Sequence, residues 1–239
     1  MHGNILWHDI ECGGYAAALP LWRELAGASG GPVLDVGCGT GRVALDLAAH
    51  GHAVTGLDLD ASLLETLRER AGDLHVETVA ADARAFELGR RFPLVIAPMQ
   101  TVQLLGGPDG RAAFLACARA HLEPGGTLAM ALAVGIETFD EDLGPGVLPP
   151  DVRAVDGVVY SSQPVAVRAE DDVLTIERVR HAVGPSGRQA AEGDVIALDA
   201  VGPEQLEDEG RAAGLQPLPR RTIEATDEHV GSTVVLLRA

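Results

Sequence analysis

Apolar and amphipathic segments alternate along the first 134 residues of the chain. Short apolar runs of the kind that form buried strands occur at 32–36, 53–58, 74–80, 94–97 and 127–134. Segments suited to helices lie between these runs, at 42–50, 61–71 and 109–121. Because strands that alternate with helices form parallel sheets with right-handed crossovers, the pattern predicts a doubly wound α/β fold.

The hydrophobic rhythm changes after residue 135. A Gly/Pro-rich connection is followed by runs in which apolar and polar residues alternate, at 152–160, 163–168, 173–183 and 194–198. This alternation predicts antiparallel strands, so 136–200 is interpreted as a β layer inserted into the main fold. The layer is too apolar for an isolated ribbon, and we expect it to act as a lid over the parallel strands, as a dimer surface, or as both.

A helix at 203–213 and two strands at 216–223 and 232–238 return the chain to the main sheet. The sequence contains no internal repeat. Because 239 residues suffice for one sizeable core, the chain is predicted to form a single domain over 1–239.

The charge of the chain narrows the choice of partners. Its formal net charge is −17, and all 18 basic residues are Arg. Such an acidic surface repels phosphate backbones, so we expect a small-molecule substrate and no nucleic acid. The sequence has neither an apolar run long enough to span a membrane nor a secretory signal at its start, which predicts a cytoplasmic protein without a membrane partner.

Neither the cysteines nor the acids form a clear metal pattern. Cys12, Cys38 and Cys117 match no CxxC pair and no zinc spacing, and Cys38 is predicted to be a small packing residue rather than a nucleophile. The acidic run at Glu137 and 140–142 is interpreted as a solvated loop, with a divalent-metal site as the alternative. We therefore expect no bound metal.

A glycine-rich loop follows the first predicted strand. The segment 33–41 reads VLDVGCGTG, with glycines at positions 37, 39 and 41. Glycines at this spacing let the chain turn sharply and let a nucleoside lie against peptide groups that no Cβ covers. The dinucleotide fingerprint G-x-G-x-x-G requires a glycine where Arg42 stands, so the spacing argues against NAD.

The DVGCGTG motif resembles the first motif of the class I S-adenosylmethionine-dependent methyltransferases. Two further motifs follow in the family's order: GLD at 56–58, after the second strand, and AADA at 80–83, after the third. The resemblance implies a mostly parallel seven-stranded sheet, S-adenosylmethionine as cofactor, and a carboxylate of Asp58 on the ribose hydroxyls. The residues that it implies in cofactor binding are Asp35, Gly37, Cys38, Gly39, Asp58, Leu59, Asp82, Ala83, Met99 and Gln100.

Some of these residues have a structural alternative. Asp60 can replace Asp58 as the ribose ligand, but Asp60 precedes the helix predicted at 61–71 and is interpreted as its N-cap. Asp82 can be an Asx-turn residue only, because such turns are common after strands. Met99 can equally belong to the core.

The resemblance also bears on the substrate. Residues 1–30 are similar to the cap that closes over the cofactor in small-molecule members, and the layout of 136–200 resembles the insertion of enzymes that methylate amino groups of sugars and other metabolites. The segment after the fourth strand lacks the Asn/Asp-Pro-Pro-aromatic signature of many enzymes that methylate base nitrogens. We expect methyl transfer to a nitrogen or oxygen of a small metabolite. The alternatives are aminocarboxypropyl transfer or cyclisation with the same cofactor, a nicotinamide oxidoreductase, and a non-catalytic binder.

His229 is the first candidate for a catalytic base. It lies in the polar segment 227–232, in a turn that can approach the acceptor pocket in sheets of this class, and Asp227 or Glu228 is expected to orient its ring. A solvated turn without a catalytic role is the alternative. Three further candidates are Tyr15, His8 and Tyr160.

Overall fold

The computed structural model describes residues 2–139, 149–226 and 229–239. The chain forms two compact units, one made of Tyr15–Val134 and Val201–Ala239 and the other of Met1–Gly14 and Gly135–Ala200. The larger unit contains the glycine loop. The predicted cap segment 1–30 is divided between the two units, because its first helix contacts the inserted strands and its second helix contacts the main sheet.

The described residues form eleven strands, six α-helices and one 3₁₀ helix. The strands are β1 (Val33–Val36), β2 (Val54–Asp58), β3 (Val76–Ala80), β4 (Phe92–Ala97), β5 (Leu122–Ala133), β6 (Asp151–Val155), β7 (Val158–Glu170), β8 (Val173–Val183), β9 (Gln189–Asp199), β10 (Gln216–Ile223) and β11 (Ser232–Arg238). The helices are α1 (His2–Cys12), α2 (Leu19–Ser29), α3 (Arg42–Ala49), α4 (Ala61–Ala71), the 3₁₀ helix η1 (Thr101–Leu104), α5 (Gly107–Ala120) and α6 (Pro203–Ala212).

A seven-stranded sheet forms the larger unit, in the order β10-β11-β5-β4-β1-β2-β3. Strands β1 to β5 pair in parallel, whereas β11 pairs antiparallel with both β5 and β10. The predicted doubly wound, mostly parallel fold is confirmed. In this arrangement the carboxyl ends of β1, β2 and β4 lie side by side, where open α/β sheets bind ligands.

Helices cover both faces of this sheet. Helices α2, α3 and α4 share one buried apolar cluster that includes Trp22 and Leu64, and α5 and α6 share a second cluster that includes Phe114. Strand β1 contributes to both clusters because successive side chains point to opposite faces: Val33 belongs to the first cluster and Leu34 to the second. Strand β1 is buried on both faces, and its one polar residue, Asp35, is buried with the apolar ones.

The smaller unit is a four-stranded antiparallel sheet in the order β6-β7-β8-β9, with α1 in contact with β6 and β7. The predicted antiparallel insertion is therefore confirmed. The single strand predicted over 152–160 is wrong, because Asp156 and Gly157 both have positive φ values, 49° and 77°, and form a tight turn between β6 and β7. A lid or dimer role for this layer stays a prediction.

Among the described residues, no helix is long and apolar enough to span a membrane. Within the same ranges, His, Cys, Asp and Glu side chains form no group of three that could hold a metal ion. Residues 140–142 of the acidic run, for which a divalent-metal site was the alternative, lie outside the described part of the chain.

Candidate active site at the carboxyl ends of β1 and β2

The glycine loop is held at the end of β1 by backbone hydrogen bonds. The N–H groups of Gly37 and Cys38 donate to the carbonyl oxygen of Leu57 in β2, at 2.7 and 3.1 Å. Gly37 has a φ of 71°, and a Cβ there would lie 2.6 Å from the Thr101 hydroxyl oxygen. Only glycine allows both this backbone conformation and this close approach of the loop after β4.

Asp58 joins the glycine loop to the end of β2. One carboxylate oxygen accepts the Gly39 N–H at 2.8 Å, and the other accepts the Asp60 N–H at 2.9 Å. The next residue, Leu59, leaves 73% of its surface exposed, the highest fraction among the large apolar side chains of the described residues. A carboxylate and an uncovered apolar side chain therefore lie together beside the loop.

Asp60 has a separate, structural role. Its carboxylate accepts hydrogen bonds from the N–H groups of Ser62 and Leu63 in the first turn of α4. The prediction that Asp60 is the N-cap of this helix is confirmed. Because both acids occur within three positions, this geometry leaves Asp58 as the carboxylate beside the glycine loop.

Asp35 is a fully buried acid in β1, beneath the loop. Neither of its carboxylate oxygens accepts a hydrogen bond of ordinary geometry from a described residue. Burial raises the pKa of Asp35 to about 7; the nearby charge of Asp58 also raises it, while Arg42 and the Ala44 amide partly offset these effects. A buried acid without a partner is stabilised by a ligand that brings a cation to it.

The thiol of Cys38 is packed in the protein interior. Its side chain is buried, and a Cβ at Gly56 would lie 2.8 Å from its sulfur, so the thiol fills the space that this glycine leaves. Burial raises the pKa of the Cys38 thiol far above its usual range, and Asp35 and Asp58 add to this effect. The thiol is therefore protonated, as expected of a packing residue.

The carboxylate of Asp82 is already engaged within its own turn. It accepts the backbone N–H of Arg84 at 2.8 Å and pairs with the Arg84 guanidinium at 2.7 Å. These hydrogen bonds lower the pKa of Asp82 to about 2. The geometry is that of the Asx turn given above as the alternative, and a ligand of this carboxylate would share it with Arg84. Ala83 packs against the cluster of α5 and α6.

The loop after β4 closes the site beside Gly37. Met99 has a left-handed backbone with a φ of 56°, which is uncommon outside glycine, and its side chain packs partly against the cluster of α2 to α4. Gln100 is partly buried and precedes η1. Gln103, one turn later, is buried and pairs with Ala133 at the end of β5, accepting its N–H at 2.9 Å. This pairing ties the loop to the next strand of the sheet.

Tyr15 and His229, the two catalytic candidates, lie in contact. Their rings are stacked, with centroids 4.9 Å apart and planes inclined by 24°. The Tyr15 carbonyl accepts a hydrogen bond from the guanidinium of Arg42 at 2.7 Å, and the same guanidinium lies 5.5 Å from the Tyr15 ring centroid. Asp227 and Glu228, expected to orient the imidazole, lie outside the described residues.

The competing candidates belong to the smaller unit. The rings of Tyr160 and Trp7 are arranged edge-to-face with their centroids 5.6 Å apart, and His8 lies in α1. The larger unit instead brings Arg42 into one electrostatic neighbourhood with Asp35 and into contact with Tyr15. The sequence analysis uses Arg42 only as evidence against NAD and does not place it in the site. Its position at the start of α3 is a signal in the sequence, because the helix dipole disfavours a positive charge there unless an acid lies nearby.

Comparison with known proteins gives consistent matches for this unit. Residues 33–126 match a family model described as a methyltransferase domain. Over 130 residues the chain is 32% identical to a dTDP-3-amino-3,4,6-trideoxy-alpha-D-glucopyranose N,N-dimethyltransferase from Streptomyces venezuelae, covering 54% of each chain. Over 103 residues it is 34% identical to a ubiquinone biosynthesis O-methyltransferase from Alkalilimnicola ehrlichii, covering 43% of this chain and 41% of that one. The matched part spans about half the length of these relatives or less.

Structural similarity extends over nearly the whole chain. The structure of CalS10, an amino pentose methyltransferase from Micromonospora echinaspora with bound S-adenosylmethionine, superposes with a TM-score of 0.74 and 24% identity. The superposition covers 98% of this chain and 97% of CalS10. At this level of identity the similarity identifies the fold.

Proposed function

We propose that this chain, a class I S-adenosylmethionine-dependent methyltransferase in its fold and its matched domain, transfers a methyl group to a nitrogen or oxygen of a small metabolite. The observation that carries the proposal is the buried carboxylate of Asp35 beneath the glycine loop, neither of whose oxygens accepts a hydrogen bond of ordinary geometry from a described residue. The methionine end of the cofactor carries an ammonium group, which is the partner that such a carboxylate needs.

The surrounding residues fit the remaining parts of the cofactor. A carboxylate has about four lone-pair sites, and the two N–H groups on Asp58 use one on each oxygen, which leaves acceptors for the ribose hydroxyls. The exposed side chain of Leu59 offers an apolar surface for adenine. Gly37 and Gly39 leave peptide groups uncovered for the methionine part. When bound, the cofactor supplies an electrophilic methyl group on a sulfonium.

The acceptor class is proposed from the relatives and from charge. One relative is named for methylation of the amine of a dTDP-linked amino sugar, and another for O-methylation in ubiquinone biosynthesis. Amines and hydroxyl groups of small molecules are therefore the acceptors to test first. The net charge of −17 argues against a nucleic-acid acceptor.

The chain's own residues contribute mainly alignment and proton removal. Because methyl transfer is an in-line displacement, the residues of the site would have to hold the acceptor in line with the methyl–sulfur bond of the bound cofactor. Holding two reactants in such a geometry can supply up to ~7–11 kcal/mol of the barrier. We assign removal of the acceptor proton to the imidazole of His229, whose ring is held against Tyr15.

The proposal also covers the cellular compartment, the domain organisation and the role of the inserted β layer. The protein acts in the cytoplasm, in keeping with three cysteines that are free thiols. It forms one functional domain in which residues 136–200 serve as a lid or a dimer surface. Sedimentation of the purified protein measures the dimer directly, and a monomer at micromolar concentration would leave only the role of a lid.

A product assay separates methyl transfer from other uses of the cofactor. Methyl transfer releases S-adenosylhomocysteine, whereas aminocarboxypropyl transfer releases methylthioadenosine. The assay is run with a panel of amino sugars, amines and phenols. Methylthioadenosine as the only product would replace the proposed reaction by its alternative.

The first prediction concerns Asp58. Asp58→Ala should weaken S-adenosylmethionine binding ~10- to 100-fold, because charge-assisted hydrogen bonds contribute about 1.5–3 kcal/mol. Isothermal titration calorimetry measures this loss. The matched control is Asp60→Ala, which removes a neighbouring acid and its N-cap but no proposed ligand, and should keep the affinity within about threefold. Unchanged affinity in folded Asp58→Ala would reject the ribose assignment, and tighter binding of NAD would reject the family.

The second prediction concerns His229. His229→Asn should reduce kcat by ~10²–10⁴-fold with little change in cofactor affinity, because a general base acts on the acceptor and not on the cofactor. Steady-state kinetics with an identified acceptor provide the test. His50→Asn, an exposed histidine at the end of α3, is the control. A loss of less than about threefold would return His229 to a solvated turn and leave alignment as the main catalytic device.

A further inference from the structure

We infer that Tyr15 is a positioning residue for His229, holding the plane of the imidazole by stacking, and that its hydroxyl transfers no proton itself. The inference rests on the proposed role of His229 and deepens it. Its starting observation is the stacked pair, with centroids 4.9 Å apart and planes inclined by 24°. This separation lies within the range of offset-stacked aromatic rings.

The Tyr15 ring is a fixed support. Only 4% of its surface is exposed, and it belongs to the buried cluster of α2, α3 and α4. Its carbonyl accepts a 2.7 Å hydrogen bond from Arg42, the first residue of α3. Ring and backbone are thus anchored to the helix that follows the glycine loop.

Among the described residues, the hydrogen bonds of His229 involve its backbone and not its imidazole. The backbone of His229 is fixed by a reciprocal pair of hydrogen bonds with Thr226: the His229 N–H donates to the Thr226 hydroxyl at 3.0 Å, and the Thr226 N–H donates to the His229 carbonyl at 2.9 Å. These bonds fix where the side chain starts but not the plane of its ring. The half-buried ring takes its plane from Tyr15.

The Tyr15 hydroxyl is poorly suited to proton transfer. A group that exchanges a proton with a substrate must reach it at about 2.6–3.2 Å, directly or through one water. A neutral phenol can take a proton from a substrate only if a neighbouring group accepts the phenol's own proton, and the buried hydroxyl oxygen has no such hydrogen-bond partner among the described residues. What Tyr15 offers its neighbour is the flat face of its ring, which Phe shares and Leu does not.

Nuclear magnetic resonance tests the stacking without any substrate. In protein labelled at histidine, the His229 ring signals are identified by their loss in His229→Asn. Stacking on an aromatic face shifts these signals by the ring current. We expect Tyr15→Leu to remove the shift and Tyr15→Phe to keep it, whereas Tyr160→Leu, the same change at the other tyrosine, should leave it in place. Signals that do not respond to Tyr15→Leu would overturn the inference, even if the chain proves to be an active methyltransferase.

Kinetics test whether the support acts through His229. Tyr15→Leu should reduce kcat ~10- to 100-fold, because misplacement of a catalytic group by about 1 Å can cost 10²-fold. The dissociation constant of the cofactor should stay within about threefold of wild type. In the His229→Asn background the same substitution should add almost nothing, because both changes remove one function.

The variant Tyr15→Phe keeps the test decisive if Tyr15→Leu does not fold. A kcat loss in Tyr15→Phe as large as that of His229→Asn would overturn the inference in favour of a catalytic hydroxyl. A loss several-fold smaller supports the positioning role. If no acceptor is methylated, the proposed function fails while the ring-current experiment still decides whether Tyr15 holds His229.

Discussion

At the scale of single residues, Asp35 shows how the demands of folding and of binding oppose each other. Burial without a hydrogen bond of ordinary geometry makes its charged form costly, and burial is the main reason that its pKa rises to about 7. Asp58 adds to the rise because its charge has the same sign. A cofactor ammonium would reverse this balance, so the apo protein is strained at the point where the ligand is proposed to bind.

This strain predicts a pH dependence of stability. Because the pKa of Asp35 is raised from 3.8 in the unfolded chain to about 7, its contribution to folding is complete below pH 4 and is lost as the pH rises towards 7. Asp35→Asn should therefore gain stability relative to wild type across this window, by a few kcal/mol at ~1.4 kcal/mol per pKa unit. Urea unfolding of the apo proteins at pH 4 to 8 measures the difference.

The exposed Asp73 supplies the control for this experiment, since Asp73→Asn should give a difference that stays flat with pH. Bound S-adenosylmethionine should stabilise wild type more than Asp35→Asn at pH 8, because only the carboxylate pairs with the ammonium. A flat difference for Asp35→Asn as well would mean that Asp35 finds a partner in the apo protein.

At the scale of elements, the sequence predicted the features that depend on neighbouring residues, such as helix caps, turns and strands. Asp60 was identified as an N-cap because its position before an apolar helix is a local signal, and the turn at Asp156 and Gly157 was there to be found in the Asp-Gly pair. The alternation of apolar runs predicted the parallel core strands. The antiparallel place of β11 between β5 and β10 was not predicted, because the hydrophobic period does not encode strand order.

The part of the candidate site that could be predicted consists of residues at the carboxyl ends of neighbouring parallel strands. The carboxyl ends of β1 and β2 carry Asp35 and Asp58, and adjacent parallel strands bring them together whatever the rest of the chain does. Stacking of Tyr15 on His229 joins residues more than two hundred positions apart, and no periodicity reports such a contact. The pairing of Asp82 with Arg84 depends on the rotamers of these two side chains. The sequence alone does not show whether the Asp82 carboxylate binds within its turn or binds a ligand.

At the scale of the whole molecule, contacts between residues far apart in sequence hold the smaller unit together. Helix α1 lies about 150 residues before the strands that it contacts, and the contact is centred on Glu11. Its carboxylate accepts hydrogen bonds from Arg180 at 2.7 and 2.8 Å and from the Ser162 hydroxyl at 2.7 Å, with Arg178 at 3.6 Å. Burial opposes the charge of Glu11, but these partners prevail and lower its pKa. A nearly buried ionic cluster of Glu11, Arg178 and Arg180 therefore joins α1 to the strands of the smaller unit.

Replacement of Glu11 should accordingly destabilise the protein as a whole. Glu11→Gln removes the charge that Arg178 and Arg180 share and leaves Arg180, among the described residues, only its ion pair with Asp194 at 3.0 Å, and removal of one partner of a buried pair costs ~3 kcal/mol or more. The matched control is Glu177→Gln in the same sheet, where a half-exposed pair with Arg168 contributes about 0–1 kcal/mol. Because the pKa of Glu11 lies below its ordinary value of 4.5, its stabilisation is complete above that pH and is lost as the pH falls through the lowered pKa. Denaturant unfolding at pH 7 and pH 3 should show a large difference between wild type and Glu11→Gln that shrinks in acid, and equal costs for the two variants at pH 7 would contradict a central role for this cluster.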